Sequence, residues 1–202
     1  MAHRGELFKI SSDKLVSMFE ASNVQVTKLA SLIEDLLDVT RITFDRMDLH
    51  TGKFNASDMI NDVINDNQVN LFNAKCEVVV RSDKNLIVNL DKSTMEQVLT
   101  NLLMNATKYA HGKSVEILLE QLDQEWGRLV VRDEGPGIAS ADKERFFNRF
   151  ERVDDRDNIG GLGLGLYITR QILEAHGGKI FVESEIGKCS SFIVDFPLDL
   201  AA

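Results

Sequence analysis

Proline and cysteine are scarce in this sequence and basic residues are outnumbered by acidic ones, and each of these features excludes some classes of protein. Two prolines in 202 residues, with 44% hydrophobic residues, argue against a disordered chain. Lysine and arginine number 23 against 32 acidic residues, and the resulting net charge of -9 argues against direct nucleic-acid binding. The composition therefore predicts an acidic, intracellular globular protein with a core of ordinary size.

Long apolar runs are absent as well. No stretch approaches the roughly 20 apolar residues that a helix needs to cross a bilayer. The first residues lack the apolar segment of a secretory signal, so we expect a cytoplasmic chain without membrane contact of its own.

Cys76 and Cys189 are far apart and neither has a CxxC partner. We expect buried, reduced thiols, with a single disulfide between them as the open alternative.

The first part of the chain is predicted to be a long helix, because no proline or glycine occurs from about Ser11 to Asp45. Ser22-Asn23 is a point where it could divide. The apolar positions recur every three or four residues and form one face, made of Leu29, Leu32, Ile33, Leu36 and Leu37. The acidic residues Glu34, Asp35 and Asp38 occupy the other face. The apolar face belongs either to a helix packed on its own domain or to a bundle shared with a second subunit.

Helices and strands alternate through the rest of the sequence. The predicted helices are Ala56–Asn70 with Ser57 as N-cap, Ser93–Tyr109, Ala141–Phe150, and Leu164–His176, which Gly177-Gly178 ends. The predicted strands are Cys76–Arg81, Leu86–Leu90, Val115–Leu119, Arg128–Arg132, Lys179–Glu183 and Ser191–Phe196. This alternation predicts an α/β sandwich.

The helix that contains EQVLTNLLMNATKYA carries a narrow polar stripe. At 100° per residue, Gln97, Asn101, Asn105 and Lys108 share one side, opposite an apolar face. An asparagine carbonyl can be an oxygen ligand for Mg²⁺, which commonly takes few protein ligands beside phosphate oxygens and water. A solvated polar face is the alternative interpretation.

Two glycine-bearing segments follow. In Asp133-Glu134-Gly135-Pro136-Gly137-Ile138, a carboxylate at a strand end can accept a hydrogen bond from a purine amino group, although a simple turn has the same composition. The segment from Gly160 to Leu166 runs into a helix and offers backbone N–H groups to phosphate, without the GKS or GKT of a Walker loop. We predict that Asp154–Gly163 is a lid that nucleotide orders.

The order and spacing of these motifs resemble the N, G1, F and G2 boxes of sensor histidine kinases, which belong to the GHKL ATPase superfamily. The boxes are represented by Asn101/Asn105, DEGPGI, RFFNRFER and GLGLGL. LIEDLLDVTRI resembles the second helix of the family's dimerisation and phosphotransfer hairpin, and AHGGKIFVESEIGK resembles the end of the catalytic domain. The resemblance implies a Bergerat two-layer sandwich with a mixed sheet over residues 49–202, preceded by a partial hairpin over residues 1–48.

The resemblance also implies ligands and roles for individual residues. Asn101 and Asn105 would hold Mg²⁺, and Lys108 and Tyr109 would contact the phosphates or ribose of ATP. Asp133 would bind the adenine amino group, with Gly135, Gly137 and Ile138 lining the base pocket. The triphosphate would be surrounded by Gly161, Leu162, Gly163, Leu164, Gly165 and Leu166. Arg149 or Arg152 would act on the γ-phosphate beside Asn105 and Lys108, while Phe147 and Phe150 would anchor the lid or simply pack in the core.

One departure concerns the phosphoacceptor. The family phosphorylates a histidine that is followed by an acidic residue and soon by a proline, whereas His3 is followed by Arg4-Gly5. His50, His111 and His176 are expected to be structural or surface residues. The implied protein is the ATP-dependent kinase core of a two-component sensor, which transfers phosphate to a histidine absent from this sequence, for relay to a response regulator.

The alternatives are another GHKL ATPase or a nucleotide-binding module without phosphotransfer. The implied partners are a receiver domain and a phosphotransfer hairpin or second subunit. The chain would then be the cytoplasmic part of a larger sensor.

Overall fold

The structure is a computed structural model that describes residues 12–43, 48–83, 85–151 and 162–199. Its helices are α1 (Ser12–Thr43), α2 (Ala56–Asp66), α3 (Gln68–Ala74), α4 (Lys92–Tyr109) and α5 (Gly165–Ala175). Its strands are β1 (Gly52–Asn55), β2 (Glu77–Ser82), β3 (Ile87–Leu90), β4 (Ser114–Gln121), β5 (Trp126–Asp133), β6 (Lys179–Glu185) and β7 (Cys189–Pro197).

Five strands form a mixed sheet in the order β2-β4-β5-β7-β6. β2 runs parallel to β4, and the other neighbours are antiparallel, with Ile117 opposite Val131 and Val131 opposite Phe192. Every second residue of β4 and β5 is buried, which is the period of a strand with one covered face. Helices α2, α4 and α5 cover that face, and β1 pairs with β3 in a separate two-stranded ribbon. The predicted two-layer Bergerat sandwich with a mixed sheet is confirmed.

Helix α4 lies at the centre of the molecule. Its apolar face is inaccessible to solvent at Val98, Leu99, Leu102 and Leu103, which are the positions predicted from the 100° periodicity. Asp91 caps the helix by accepting a hydrogen bond from the Thr94 N–H at 3.2 Å. Burying this face against the sheet leaves the opposite, polar side of α4 available for a site.

The predicted long helix from about Ser11 to Asp45 is confirmed as α1, which continues without a break through Ser22-Asn23, where a division was possible. Two predictions about other helices were wrong. The predicted helix Ala56–Asn70 is two helices, because Asn67 leaves helical geometry at φ -101° and ψ 10° while its side chain donates to the Val63 carbonyl. The N-cap of α2 is Asn55, which accepts from the Ser57 N–H, whereas the Ser57 hydroxyl donates to the Asp83 carbonyl.

Two further differences concern short elements. The predicted helix Ala141–Phe150 is a pair of 3-10 turns, Ser140–Asp142 and Arg145–Phe147. Strand β1 was missed, because its four residues are too few for an alternating pattern and its pairing with β3 is a tertiary contact. α5 ends before Gly177-Gly178, as predicted.

The apolar face of α1 is largely exposed to solvent. Leu29, Ile33, Leu36 and Leu37 are each 51–58% exposed. The side chains of Glu34, Asp35 and Asp38, expected on the other face, lie outside the described residues. Within the described ranges, none of the helices combines the length and apolarity that a membrane span requires.

Candidate functional site

Two asparagines on the polar side of α4 have different surroundings. The Asn101 side-chain amide donates to the Gly165 carbonyl at 3.1 Å and to the Thr169 hydroxyl at 3.4 Å. Asn101 therefore joins α4 to the first turn of α5. The side chain of Asn105, one turn further along and half-buried, makes no hydrogen bond to the rest of the described chain. Its amide is available to a ligand.

Asp133 ends β5 and is 3% exposed. One carboxylate oxygen accepts a hydrogen bond from the Gly135 N–H at 2.8 Å. Burial raises the pKa of Asp133 above its ordinary value, although the Gly135 hydrogen bond and the nearby Lys113 charge oppose this. A Cβ on Gly135 would lie 2.5 Å from that carboxylate oxygen, so only glycine permits this close turn. The turn uses Oδ1 and leaves Oδ2 for an external hydrogen-bond donor.

The segment Gly135–Ile138, which we call the base loop, rests on the hairpin between β6 and β7. The Pro136 carbonyl accepts from the Gly187 N–H at 2.7 Å, and the Ile138 N–H donates to the Ser184 hydroxyl at 2.8 Å. Gly137 has φ +73°, and a Cβ there would lie 2.2 Å from the Glu185 carbonyl oxygen. The hairpin thus holds the loop that follows Asp133 in a fixed conformation.

The end of the glycine-rich segment, Leu162–Leu166, leads into α5, while Gly161 lies outside the described residues. Leu164 and Leu166 are 1% and 8% exposed, so their side chains pack in the core. Leu164 is the N-cap of α5 and supplies no side-chain cap, which leaves first-turn backbone N–H groups for another acceptor. A Cβ on Gly163 would lie 2.7 Å from the Glu151 carbonyl oxygen, so this backbone packs directly on the segment after the 3-10 turns.

Arg149 lies beside the start of α5. Its guanidinium carbon is 4.6 Å from the centroid of the Tyr167 ring, and its Nη2 donates to the Tyr167 hydroxyl. Arg152, the other arginine predicted to act on phosphate, lies outside the described residues, as does most of the predicted lid. Phe147 is buried at 4% exposure in the core, whereas Phe150 is 59% exposed at φ 60°.

Helix α4 brings these parts into one site. At its middle, Asn101 contacts Gly165, and at its end the Tyr109 carbonyl oxygen is 3.2 Å from where a Gly135 Cβ would lie. The eight residues between these contacts span about 12 Å along the helix axis. Lys108, exposed, and Tyr109, half-buried, lie on the last turn of α4, close to the base loop. The polar side of α4 therefore connects the buried carboxylate to the glycine-rich helix start.

Four contacts of the site were missed from the sequence. The Ser184 hydroxyl fixes Ile138, and the Lys113 ammonium donates to the Glu134 carbonyl at 2.7 Å. Tyr167 holds Arg149, and its position directly after GLGLGL was the available signal. Asp91 accepts from the His50 N–H at 2.7 Å and so ties the segment after α1 to α4. Ser184, Lys113 and Asp91 carry no local motif.

Residues 90–200 match the family described as "Histidine kinase-, DNA gyrase B-, and HSP90-like ATPase". This segment is more than half of the chain and contains α4, the base loop and the glycine-rich segment. The chain belongs to this family and is an ATP-binding domain of the histidine kinase type, as its relatives show.

The adaptive-response sensory kinase SasA of Prochlorococcus marinus is 30% identical over 209 residues, which cover 94% of this chain and 53% of SasA. The chain thus spans about half the length of that curated relative. Among solved structures, the Acinetobacter baumannii histidine kinase AdeS superposes with a TM-score of 0.76 at 26% identity, covering 95% of this chain and 87% of that one. Full-length ShkA in complex with AMPPNP gives 0.81 at 25% identity, covering 96% and 41%.

Proposed function

We propose that this chain is the kinase core of a two-component sensor histidine kinase. It transfers the γ-phosphoryl group of ATP to a histidine on a phosphotransfer hairpin, from which the group passes to an aspartate of a response regulator. The observation that carries this proposal is the continuous site along α4, from the buried Asp133 carboxylate to the uncapped start of α5. The sensor kinases among its relatives support the same function.

The base of ATP would lie at the Asp133 end of the site. The second oxygen of this buried carboxylate accepts a hydrogen bond from the adenine amino group, and Gly135, Gly137 and Ile138 form the loop beside the ring. Lys108 and Tyr109, at the end of α4, contact the ribose or phosphates. The phosphates extend toward Leu162–Leu166, where backbone N–H groups at a helix start favour an anion.

The side chains of Asn101 and Asn105 suit Mg²⁺, which binds oxygen ligands and is often held by few protein groups together with substrate phosphates. Asn105 has an unengaged amide, and the carbonyl oxygen of Asn101 remains available because its contacts to α5 use the amide nitrogen. Among the described residues, no three His, Cys, Asp or Glu side chains group closely enough to hold a metal ion. When bound, Mg²⁺ would neutralise phosphate charge.

The reaction requires little covalent chemistry from the protein. An imidazole nitrogen of the acceptor hairpin forms a bond to the γ-phosphorus, the bond to the bridging oxygen breaks, and ADP leaves. Charge on the transferring group is stabilised by Lys108 and Arg149, and Asn105 positions the phosphates. The chain therefore binds and orients ATP and neutralises the charge of its phosphates, while the acceptor histidine supplies the nucleophile.

The proposed function gives a separate role to each of the two parts of the chain. Residues 1–48 form part of a helical dimerisation and phosphotransfer segment, and residues 49–202 form the catalytic domain. The partners are a receiver domain and the acceptor hairpin, supplied by a second subunit or another chain. The core would act in the cytoplasm, where ATP is available.

A transfer experiment tests the proposal. The chain is incubated with γ-labelled ATP, Mg²⁺ and a separate, intact phosphotransfer hairpin. We expect acid-labile, base-stable label on the hairpin histidine, and none on a hairpin with that histidine replaced by glutamine. ATP hydrolysis without labelling would instead indicate another ATPase of the family, and nucleotide binding without turnover would indicate a binding module.

A further inference from the structure

Arg149 differs from the neighbouring arginines in how its charge is held. Arg145 forms ion pairs with Asp142 at 2.9 Å and with Glu151 at 3.0 Å. Arg170 pairs with Glu174 at 3.0 Å. Arg149 has no acidic partner within the part of the chain that the structure describes, and it is exposed. It is held by an aromatic ring and a phenol instead of by a carboxylate.

This difference matters because the two kinds of partner affect the charge differently. A carboxylate neutralises a guanidinium and occupies its paired N–H donors. A ring face orients the guanidinium plane by its quadrupole and leaves the net positive charge in place. The Tyr167 hydroxyl accepts from Nη2 alone, so the other N–H groups of Arg149 remain available to an incoming anion.

The location of the pair indicates which anion would bind. Tyr167 is in the first turn of α5, two residues after Gly165, whose carbonyl accepts from Asn101. The uncapped N–H groups of that turn and the candidate Mg²⁺ ligand lie at the same end of the site. An unneutralised guanidinium held there lies at the end of the site away from Asp133, where ATP bound as proposed would place its distal phosphates.

We propose that Tyr167 is a positioning residue that holds Arg149 ready to bind the γ-phosphate of ATP. This inference rests on the proposed ATP site and adds a specific requirement to it. Because Arg149 acts on the γ-phosphate, Tyr167 should contribute to the affinity for triphosphates and contribute nothing to the affinity for diphosphates.

The experiment compares AMPPNP, which has a γ-phosphate, with ADP, which lacks one, by calorimetry in the presence of Mg²⁺. Tyr167→Leu removes both the ring and the hydroxyl, and we expect AMPPNP to bind about tenfold more weakly with ADP affinity unchanged. Tyr167→Phe keeps the ring face and should recover most of the difference. Arg149→Met should match Tyr167→Leu, and the double variant should be no weaker than Arg149→Met alone.

Phe181→Leu is the matched control, because Phe181 faces Arg128 at 5.8 Å in a cation–π pair on β6, and it should change neither affinity. Equal losses for ADP and AMPPNP in Tyr167→Leu, or additive losses in the double variant, would overturn the positioning role. If the unmodified chain bound neither nucleotide, the proposed ATP site and this inference would both fail. If it bound AMPPNP as described and labelled no hairpin, only the kinase proposal would fail.

Discussion

The imidazole of His176 accepts a hydrogen bond from the backbone N–H of Asp91, 85 residues earlier in the chain, at an N–N distance of 3.2 Å. Because Nε2 accepts, the proton of the neutral ring must be on Nδ1, which lies 2.8 Å from the Ile172 carbonyl oxygen. His176 is fully buried. This ring, expected to be an ordinary helix-end histidine, joins the end of α5 to the start of α4.

The His176 contacts predict a pH dependence of stability. Burial lowers the pKa of His176 below its ordinary 6.5, although the Ile172 hydrogen bond and the Asp91 charge oppose this. Below pH 6.5 the unfolded chain therefore binds a proton that the folded chain does not. The free energy of unfolding decreases as the pH is lowered, until the folded-state pKa is reached. We expect a loss of at most about 1.4 kcal/mol per pH unit from this group. Urea unfolding at pH 7.5 and 5.5 measures it.

His176→Gln provides the comparison for this effect, since glutamine does not titrate. The variant should be less stable at pH 7.5 and should lose less stability on acidification than the unmodified chain. Asp91 remains ionised throughout this range: burial raises its pKa, but hydrogen bonds from His50, Thr94 and Ser93 outweigh this and lower it. Identical pH slopes in both proteins would show that His176 is not the titrating group.

Asp133→Asn should weaken ATP binding and preserve the fold. The asparagine carbonyl can still accept from the Gly135 N–H, so the base loop stays in place. The adenine amino group loses a charged acceptor, and we expect affinity to fall about ten- to a hundredfold, from the usual 1–3 kcal/mol for such a loss. Calorimetry gives the affinity. The exposed neighbour Glu134→Gln is the control, and an equal loss there would assign the effect to net charge.

Substitutions of the two asparagines of α4 should differ in their effect on stability, although both should weaken ligand binding. Asn101→Ala removes the hydrogen bonds to Gly165 and Thr169 and should lower the free energy of unfolding by about 1 kcal/mol. It should also weaken the binding of Mg²⁺-ATP. Asn105→Ala should leave stability within about 0.5 kcal/mol and still weaken Mg²⁺-dependent binding. Denaturant titration and calorimetry with and without Mg²⁺ measure both. An Asn105→Ala variant with unchanged Mg²⁺ dependence would exclude this residue from the metal site.

Gly137→Ala should disrupt the base loop. A side chain at φ +73° costs about 1–2 kcal/mol, and its Cβ would also lie 2.2 Å from the Glu185 carbonyl oxygen. Gly187→Ala has a similar φ of +78° but meets nothing within 4 Å, so it reports the backbone cost alone. In urea unfolding, Gly137→Ala should have a clearly lower free energy of unfolding than Gly187→Ala. Equal stabilities would mean that the β6–β7 hairpin shifts to accommodate the added side chain with little loss of free energy.

The chain should not phosphorylate its own histidines. The candidate phosphate end is near Asn101 and Gly165. His111 and His176 follow these residues by ten and eleven positions and lie just past the last residues of α4 and α5. These separations correspond to about 15 Å along a helix axis, beyond the few ångströms of an in-line transfer. His50 is bound through its N–H to Asp91, at the far end of α4. Labelled ATP alone should leave no acid-labile label, and label lost on substitution of one of these histidines by glutamine would contradict this.

The fold was largely predictable because its main elements have regular patterns. The apolar period of α4 and the alternation in β4 and β5 can be read directly from the residues. The elements that were missed depend on contacts between distant segments, as in β1, or on a local side-chain competition, as at Asn67. Such contacts have no periodic signal.

The candidate site was predictable to the extent that its residues form ordered motifs. Asn101, Asp133 and the glycine-rich segment are candidates from the sequence because each combines residue types that suit phosphate, metal or base. The position of Tyr167 directly after GLGLGL indicates that it is near the site, but its contact with Arg149 has no motif, since it joins residues 18 positions apart through side-chain stacking. The hydroxyl of Ser184 has an ordinary strand sequence around it.

The support of the base loop by the β6–β7 hairpin has a consequence for biosynthesis. Pro136 and Ile138 are held by Gly187 and Ser184, about fifty residues later in the chain. During translation, Asp133 and the asparagines of α4 leave the ribosome well before the hairpin that holds their loop. A nascent chain that stops short of Gly187 therefore lacks the support for its base pocket, and nucleotide can stabilise the domain only after its last strands have paired.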